Sequence, residues 1–203
     1  MKIIDAHFHF ADFSDFDKLA RMAGHENTEE NLRQSYINAG IVHGIVMSNR
    51  SLYPEEHRYP EFISYCIGLD HFDDDKRSLR EQAELVEANL KRPRCVGIKL
   101  YPGYNRFYVY DDRLAPFYEL AEKYDKPVAV HTGLTATETG LLKYSHPFTL
   151  DEAAVKFRNV RFVMCHMGNP FLDEAVIPRD KWDDVFYNNA VRIYGLQGDG
   201  IFS

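Results

Sequence analysis

The chain has 203 residues, of which 45% are hydrophobic and 14% aromatic. That is enough for one substantial core, so a single domain over 1–203 is expected. Its formal charge of −7 comes from 31 acidic against 24 basic residues with no Lys/Arg run, so neither nucleic acid nor an anionic membrane is an expected partner, and small-molecule chemistry is left. Asp5 interrupts the first apolar stretch before it can form a signal-peptide core and no later window reaches bilayer length, so a cytoplasmic location is expected.

In chain order, the first predicted element is the strand KIIDAHFHF (2–10). Strict alternation along it puts Asp5, His7 and His9 on one face and Ala6, Phe8 and Phe10 on the other. The residues that follow, ADFSDFDK, lack the glycine-rich turn of a dinucleotide-binding sheet. Strands are then predicted at VHGIVMS (42–48) and FISYCIGLD (62–70), from their Val, Ile and Phe content and their ends at turn residues.

Leu79, Ala83, Val86 and Leu90 recur at helical spacing and predict an amphipathic helix that stops near Pro93. The strand CVGIKLYP (95–102) follows. A second such helix carries Leu114, Phe117, Tyr118 and Ala121 and ends between Tyr124 and Pro127, before the strand PVAVHTG (127–133).

A long connection, 134–148, follows that strand, and loops of this length usually carry function. Thr149 and Glu152 have the spacing of a capping box that opens a helix through Phe157, before a sixth strand at VRFVMCHMG (160–168). Cys66, Cys95 and Cys165 lie far apart in apolar runs, as reduced, buried thiols do. Strands apolar on both faces alternating with helices imply a parallel α/β sheet, and the missing glycine-rich turn favours a (β/α) barrel over an open doubly wound sheet.

His-X-His in one strand is by itself more often a packed or hydrogen-bonded pair than a metal site. Two further histidines change the balance. His131 in AVHTG and His166 in MCHMG each stand at the carboxyl end of a predicted strand, before a small-residue turn. In a parallel barrel the carboxyl ends share one rim, so four histidines from three strands meet. A neutral cluster leaves several imidazole nitrogens unsatisfied, whereas one cation satisfies them together.

The motifs IDAHFHF, GIKLYPGY, PVAVHTG and FVMCHMG, with a closing DDVFYNNAVRIYGL, resemble the amidohydrolase superfamily in the expected order over nearly the whole chain. The similar branch is the amidohydrolase-related, aminocarboxymuconate semialdehyde decarboxylase-like group of metal-dependent decarboxylases, hydratases and hydrolases. The resemblance implies a TIM-barrel fold and one divalent ion, zinc or manganese, held by His7, His9 and His131. His166 is then the general acid or base beside a metal-activated water or metal-bound substrate, and the implied reaction is hydrolysis or decarboxylation of a small carboxylated or cyclic compound.

Asp5 is a candidate acceptor for orienting a ligand, or equally a buried strand-end hydrogen bond. In binuclear relatives a lysine on the fourth strand is carbamylated and bridges two metals. Here the IKLYP form looks more like the mononuclear branch, which places Lys99 at the inner rim as a candidate substrate contact. Tyr101, Tyr104 and Arg50 follow strand ends and are candidates for meeting a substrate carboxylate or ring. His43 is expected at the opposite rim, and His25, His57, His71 and His146 carry less weight.

The chain departs from the family in one respect. The family's pattern has an aspartate at the end of strand eight, and this sequence has no candidate for it in a strand context. Only 37 residues follow His166, whereas two more strands with their helices need about 60, judged from a typical barrel of ~250 residues.

NPFLDEAV resembles the helix after strand six. IPRDKWDDVFYNNAVRIYGL, with Trp182, Val185, Phe186 and Ile193 at helical spacing, resembles the final helix. An internal deletion near Val176 and Ile177 is therefore expected, leaving about six strands plus a C-terminal helix. Two open edges then invite pairing with a second copy, closure by the terminal helix, or misfolding. A truncated, catalytically impaired or non-catalytic relative with a partial three-histidine metal site is the alternative reading.

Overall fold

The structure, a computed structural model, describes residues 2–10, 14–49, 51–170 and 187–196. Arg50, the expected junction at Val176 and Ile177, and Trp182, Val185 and Phe186 lie outside the described residues. All six predicted strands form: β1 (Ile3–Phe8), β2 (Ile41–Met47), β3 (Ile63–Leu69), β4 (Cys95–Leu100), β5 (Val128–Val130) and β6 (Phe162–Met164). They pair in sequence order and every pairing is parallel. Among the described residues β1 and β6 do not pair, so the sheet is an incomplete barrel with two open edges.

Two helices absent from the predicted elements, α1 (Ser14–Met22) and α2 (Glu29–Ala39), join β1 to β2. Each buries a single residue, Ala20 and Tyr36, although Phe16, Leu19 and Ala20 in α1 and Leu32, Tyr36 and Ala39 in α2 stand at helical spacing. Local chemistry sets the limits of α2: the Thr28 side chain accepts from the Asn31 N–H, and Gly40 ends the helix in the left-handed region at φ 72°.

The predicted helices α3 (Leu79–Leu90) and α4 (Ala115–Lys123) follow β3 and β4. Between β5 and β6 lie α5 (Leu142–Ser145) and α6 (Thr149–Lys156), and α7 (Asn189–Tyr194) comes last. The capping box stands elsewhere than expected. Ser78 and Glu81 form it at the start of α3. Thr149 instead lies inside the first turn of α6, where its hydroxyl donates to the His146 carbonyl at 2.8 Å. No helix among the described residues is long and apolar enough to cross a membrane.

The strands present two faces. Val46, Ile63, Tyr65, Ile67, Ile98, Leu100, Val128 and Val130 pack with Val86 and Leu90 of α3 and Phe117, Tyr118 and Ala121 of α4. Alternate positions (Ile4, Ile45, Met47, Cys66 and Ala129), together with Val96 at an irregularity in the β3–β4 register and Cys165, form a second cluster on the inner face. Ala190, Tyr194 and Leu196 belong to this cluster, so the terminal helix covers the inner face of the open barrel. The three thiols are free and buried, as expected.

β1 does not alternate as expected. Ile4 and Ala6 join the inner cluster, while the Asp5 carboxylate accepts from the Tyr36 hydroxyl of α2 at 3.1 Å, on the helix side. Asp5 pairs with Gly44 and Phe8 with Val46, so three steps on β1 match two on β2, which is a bulge. Beyond it, Phe8 packs on Tyr36 at 5.7 Å between ring centroids, and His7 and His9 turn inward. The two histidines therefore share a face, as read from the sequence, but Asp5 does not share it with them.

Candidate metal centre

The inner face opens at the carboxyl ends of the strands into a cavity of about 800 Å³, lined by His7, His9, His131, His166, Lys99 and Tyr101 among others. The four imidazoles expected to converge do so. Ring centroids lie 5.5 Å apart for His7 and His9, 4.6 Å for His7 and His166, and 4.8 Å for His131 and His166.

Hydrogen-bond partners assign the nitrogens. His131 Nε2 faces the Leu134 carbonyl at 3.1 Å and must donate to it, because a carbonyl only accepts. Its Nδ1 is then an acceptor, and His166 Nε2–H donates to it at 3.1 Å. His9 Nδ1 faces the Met47 carbonyl at 3.0 Å and Asn49 Oδ1 at 2.7 Å, which leaves Nε2 to the cavity. His7 Nε2 is buried without any hydrogen-bond partner.

All four rings resist protonation. Burial is the main cause for His7, whose pKa falls to about 2, with the positive charge of Lys99 next and the neighbouring histidines after it. His131 falls to about 3 for the same two leading reasons. His9 opens toward the cavity mouth, yet the surrounding protein desolvates it and lowers its pKa, opposed by its bonds to Asn49 and Met47. His166 is lowered by burial and by Lys99. A neutral imidazole keeps one lone pair, which is what a metal requires; that of His131 lies on Nδ1 and is taken by the His166 N–H, so His131 ligates only once that bond is released.

Lys99 is fully buried at the base of the cavity, where Nζ donates to Cys165 Sγ at 3.1 Å and lies 5.1 Å from the centre of the Tyr101 ring. Among the described residues no carboxylate pairs with it. The Tyr101 hydroxyl is committed to the carbonyls of Ser48 at 2.9 Å and Met47 at 3.2 Å, so this residue meets the cavity through its ring. Tyr104 stacks edge-on against His131 at 4.9 Å. The Asp5 carboxylate accepts from the His7 backbone N–H at 3.3 Å and from Tyr36, not from an imidazole.

Two further residues at the site went unread in the sequence. Asp70 directly follows β3 and Asn49 lies two residues past the end of β2, and both line the cavity. Asp70 is the one carboxylate among the described lining residues. The signal that singled out His131, a polar residue just past a strand's carboxyl end, was equally present in MSN and GLD.

The donor set fits a divalent cation in its chemistry: four neutral imidazoles, one with an orphaned buried nitrogen, from three strand ends. Among the described residues, no three His, Cys, Asp or Glu side chains are gathered closely enough to hold a metal ion as they stand.

The sequence profile of a family described as amidohydrolase matches residues 4–182. Comparison with curated protein sequences gives no match. Among solved structures, an uncharacterized TIM-barrel protein from Bordetella bronchiseptica superposes with a TM-score of 0.63 at 20% identity, over 86% of this chain and 70% of that one. A structure described as a probable 2-pyrone-4,6-dicarboxylic acid hydrolase from Acinetobacter baumannii gives 0.51 at 20% identity, over 83% and 59%. 5-Carboxyvanillate decarboxylase from Sphingomonas paucimobilis gives 0.55 at 12% identity, over 84% and 70%. At these identities the likeness is one of fold, and the chain spans 59% to 70% of the length of these three structures.

Proposed function

The chain belongs to the amidohydrolase family, and from that premise we propose that it is a metal-dependent hydrolase or decarboxylase acting on a small carboxylated or cyclic substrate. His7, His9 and His131 would hold one divalent cation, zinc or manganese. The observation that carries this reading is the buried, partnerless Nε2 of His7 inside a cluster of four neutral imidazoles.

When bound, such a cation supplies Lewis-acid polarisation of a substrate oxygen. The protein's own groups do the rest. His166 Nε2 carries a proton at the mouth of the cluster and is the group placed to give or take one. The Lys99 ammonium offers its charge to an anionic substrate group, and the rings of Tyr101 and Tyr104 form an apolar wall for a cyclic one. The open edges at β1 and β6 suit pairing with a second copy.

A second reading, a non-catalytic relative with a partial metal site, is favoured by one observation: no carboxylate joins the imidazoles, and no three ligand side chains are drawn together among the described residues. Turnover separates the two. Protein loaded with zinc or manganese is offered lactones, esters and aromatic carboxylates, with ring opening, ester cleavage and CO2 release followed. Metal-dependent turnover of any of them supports an enzyme. Stoichiometric metal without turnover selects the second reading, and turnover indifferent to metal contradicts both.

A further inference from the structure

We infer that Asp70 and Asn49 form a positioning pair that fixes the His9 ring with Nε2 directed into the cavity. The inference rests on the reading of His9 as a ligand for a divalent cation. His9, Asn49 and Asp70 stand at the carboxyl ends of β1, β2 and β3, one residue from each of three adjacent strands.

A carboxamide can present either end to an imidazole. With its oxygen forward, Asn49 demands a hydrogen on His9 Nδ1 and leaves the lone pair on Nε2. Turned over, its NH2 group would reward the opposite tautomer. Asp70 removes that freedom, because its Oδ2 lies 3.4 Å from Asn49 Nδ2 and an ionised carboxylate only accepts. The NH2 end of Asn49 is thereby committed to Asp70, and Oδ1 is left to accept from His9 Nδ1 at 2.7 Å.

The Met47 carbonyl, 3.0 Å from the same nitrogen, also accepts from it, so the Nδ1–H tautomer is held twice and Asn49 supplies the shorter of the two bonds. The Asp70 side chain is mostly shielded, at 15% exposure, so solvent screens the pair little. The Ser48 hydroxyl accepts from the Gly68 N–H at 2.8 Å, which ties the end of β2 to that of β3 and keeps Asn49 beside Asp70.

Asp70 therefore acts through Asn49, and neither needs to touch the cation. Partners that hold the non-ligating nitrogen of a histidine are worth about 10- to 100-fold in metal affinity. The direct test reads the ring itself. Metal-free protein with ¹⁵N-labelled histidine is studied by NMR, with His9 assigned through a His9→Gln variant. The wild-type ring is expected as a single tautomer, protonated at Nδ1.

Asn49→Leu, and Asp70→Ala in case the first fails to fold, are expected to raise the Nε2–H tautomer to a detectable minority, with the Met47 carbonyl still holding the rest. Where zinc binds, its affinity should fall about 10- to 100-fold. A His9 ring that stays a single Nδ1–H tautomer in a folded variant overturns the inference. If the tautomer changes as expected but the wild-type chain binds no zinc, the positioning pair stands and the metal reading falls.

Discussion

Gly133→Ala is expected to cost about 3 kcal/mol or more of folding stability, because two penalties add at that position. Gly133 sits at φ +85°, where a side chain is strained by about 1–2 kcal/mol. A Cβ there would also lie 1.9 Å from the Asn169 carbonyl oxygen and 2.8 Å from its carbon, and both are backbone atoms with no rotamer to yield.

That close approach joins two loops. Leu134 N–H donates to the Asn169 carbonyl at 2.9 Å, and the Thr132 hydroxyl donates to the Cys165 carbonyl. These loops carry His131 and His166, whose 3.1 Å contact depends on their register. Urea denaturation followed by circular dichroism should show the midpoint collapse, with zinc binding weakened in whatever remains folded. A wild-type midpoint would mean that the loops do not meet as described.

His166→Gly is expected to separate stability from activity. His166 and Met167 occupy the left-handed region at φ 58° and 50°, consecutively and without glycine, immediately after β6. Such a conformation costs of order 1 kcal/mol per residue, and it persists where the surroundings over-determine it, often at functional sites. Glycine relieves that strain, so the thermal midpoint should hold or rise, by up to about 1 kcal/mol in stability. Under the proposed function, in which His166 is the acid or base, turnover should fall by about 10²- to 10⁴-fold, the usual contribution of such a group. Steady-state kinetics alongside thermal unfolding reads both quantities. A clear loss of stability would show that the ring's contacts with His7 and His131 outweigh the strain.

The parallel sheet was legible because each strand is a short apolar run bounded by turn residues, and α3 and α4 were legible because each buries a repeating stripe. α1 and α2 were legible too, from Phe16, Leu19 and Ala20 and from Leu32 and Tyr36 at helical spacing, but both runs are rich in charged and polar residues that read as a connection. The four histidines were legible as strand-end residues once a barrel rim was assumed.

The bulge in β1 was not. It arises from pairing with β2 and reverses the parity between Asp5 and His7, something a single strand's alternation cannot encode. Asn49 and Asp70 were passed over because amide and carboxylate side chains after a strand read as turn formers, and only their placement beside His9 gives them work. The terminal helix was legible in part: Ile193 lies in α7, which packs on the inner face, while the rest of its predicted stripe lies outside the described residues.

The central claim, that the strand-end histidines form a metal centre, is tested most directly by calorimetric titration of metal-free protein with zinc. Saturation at one ion per chain in the wild type, abolished by His7→Ala in a variant that keeps its circular dichroism spectrum, is the predicted result. No binding to the wild-type chain, or binding that survives His7→Ala unchanged, would contradict it.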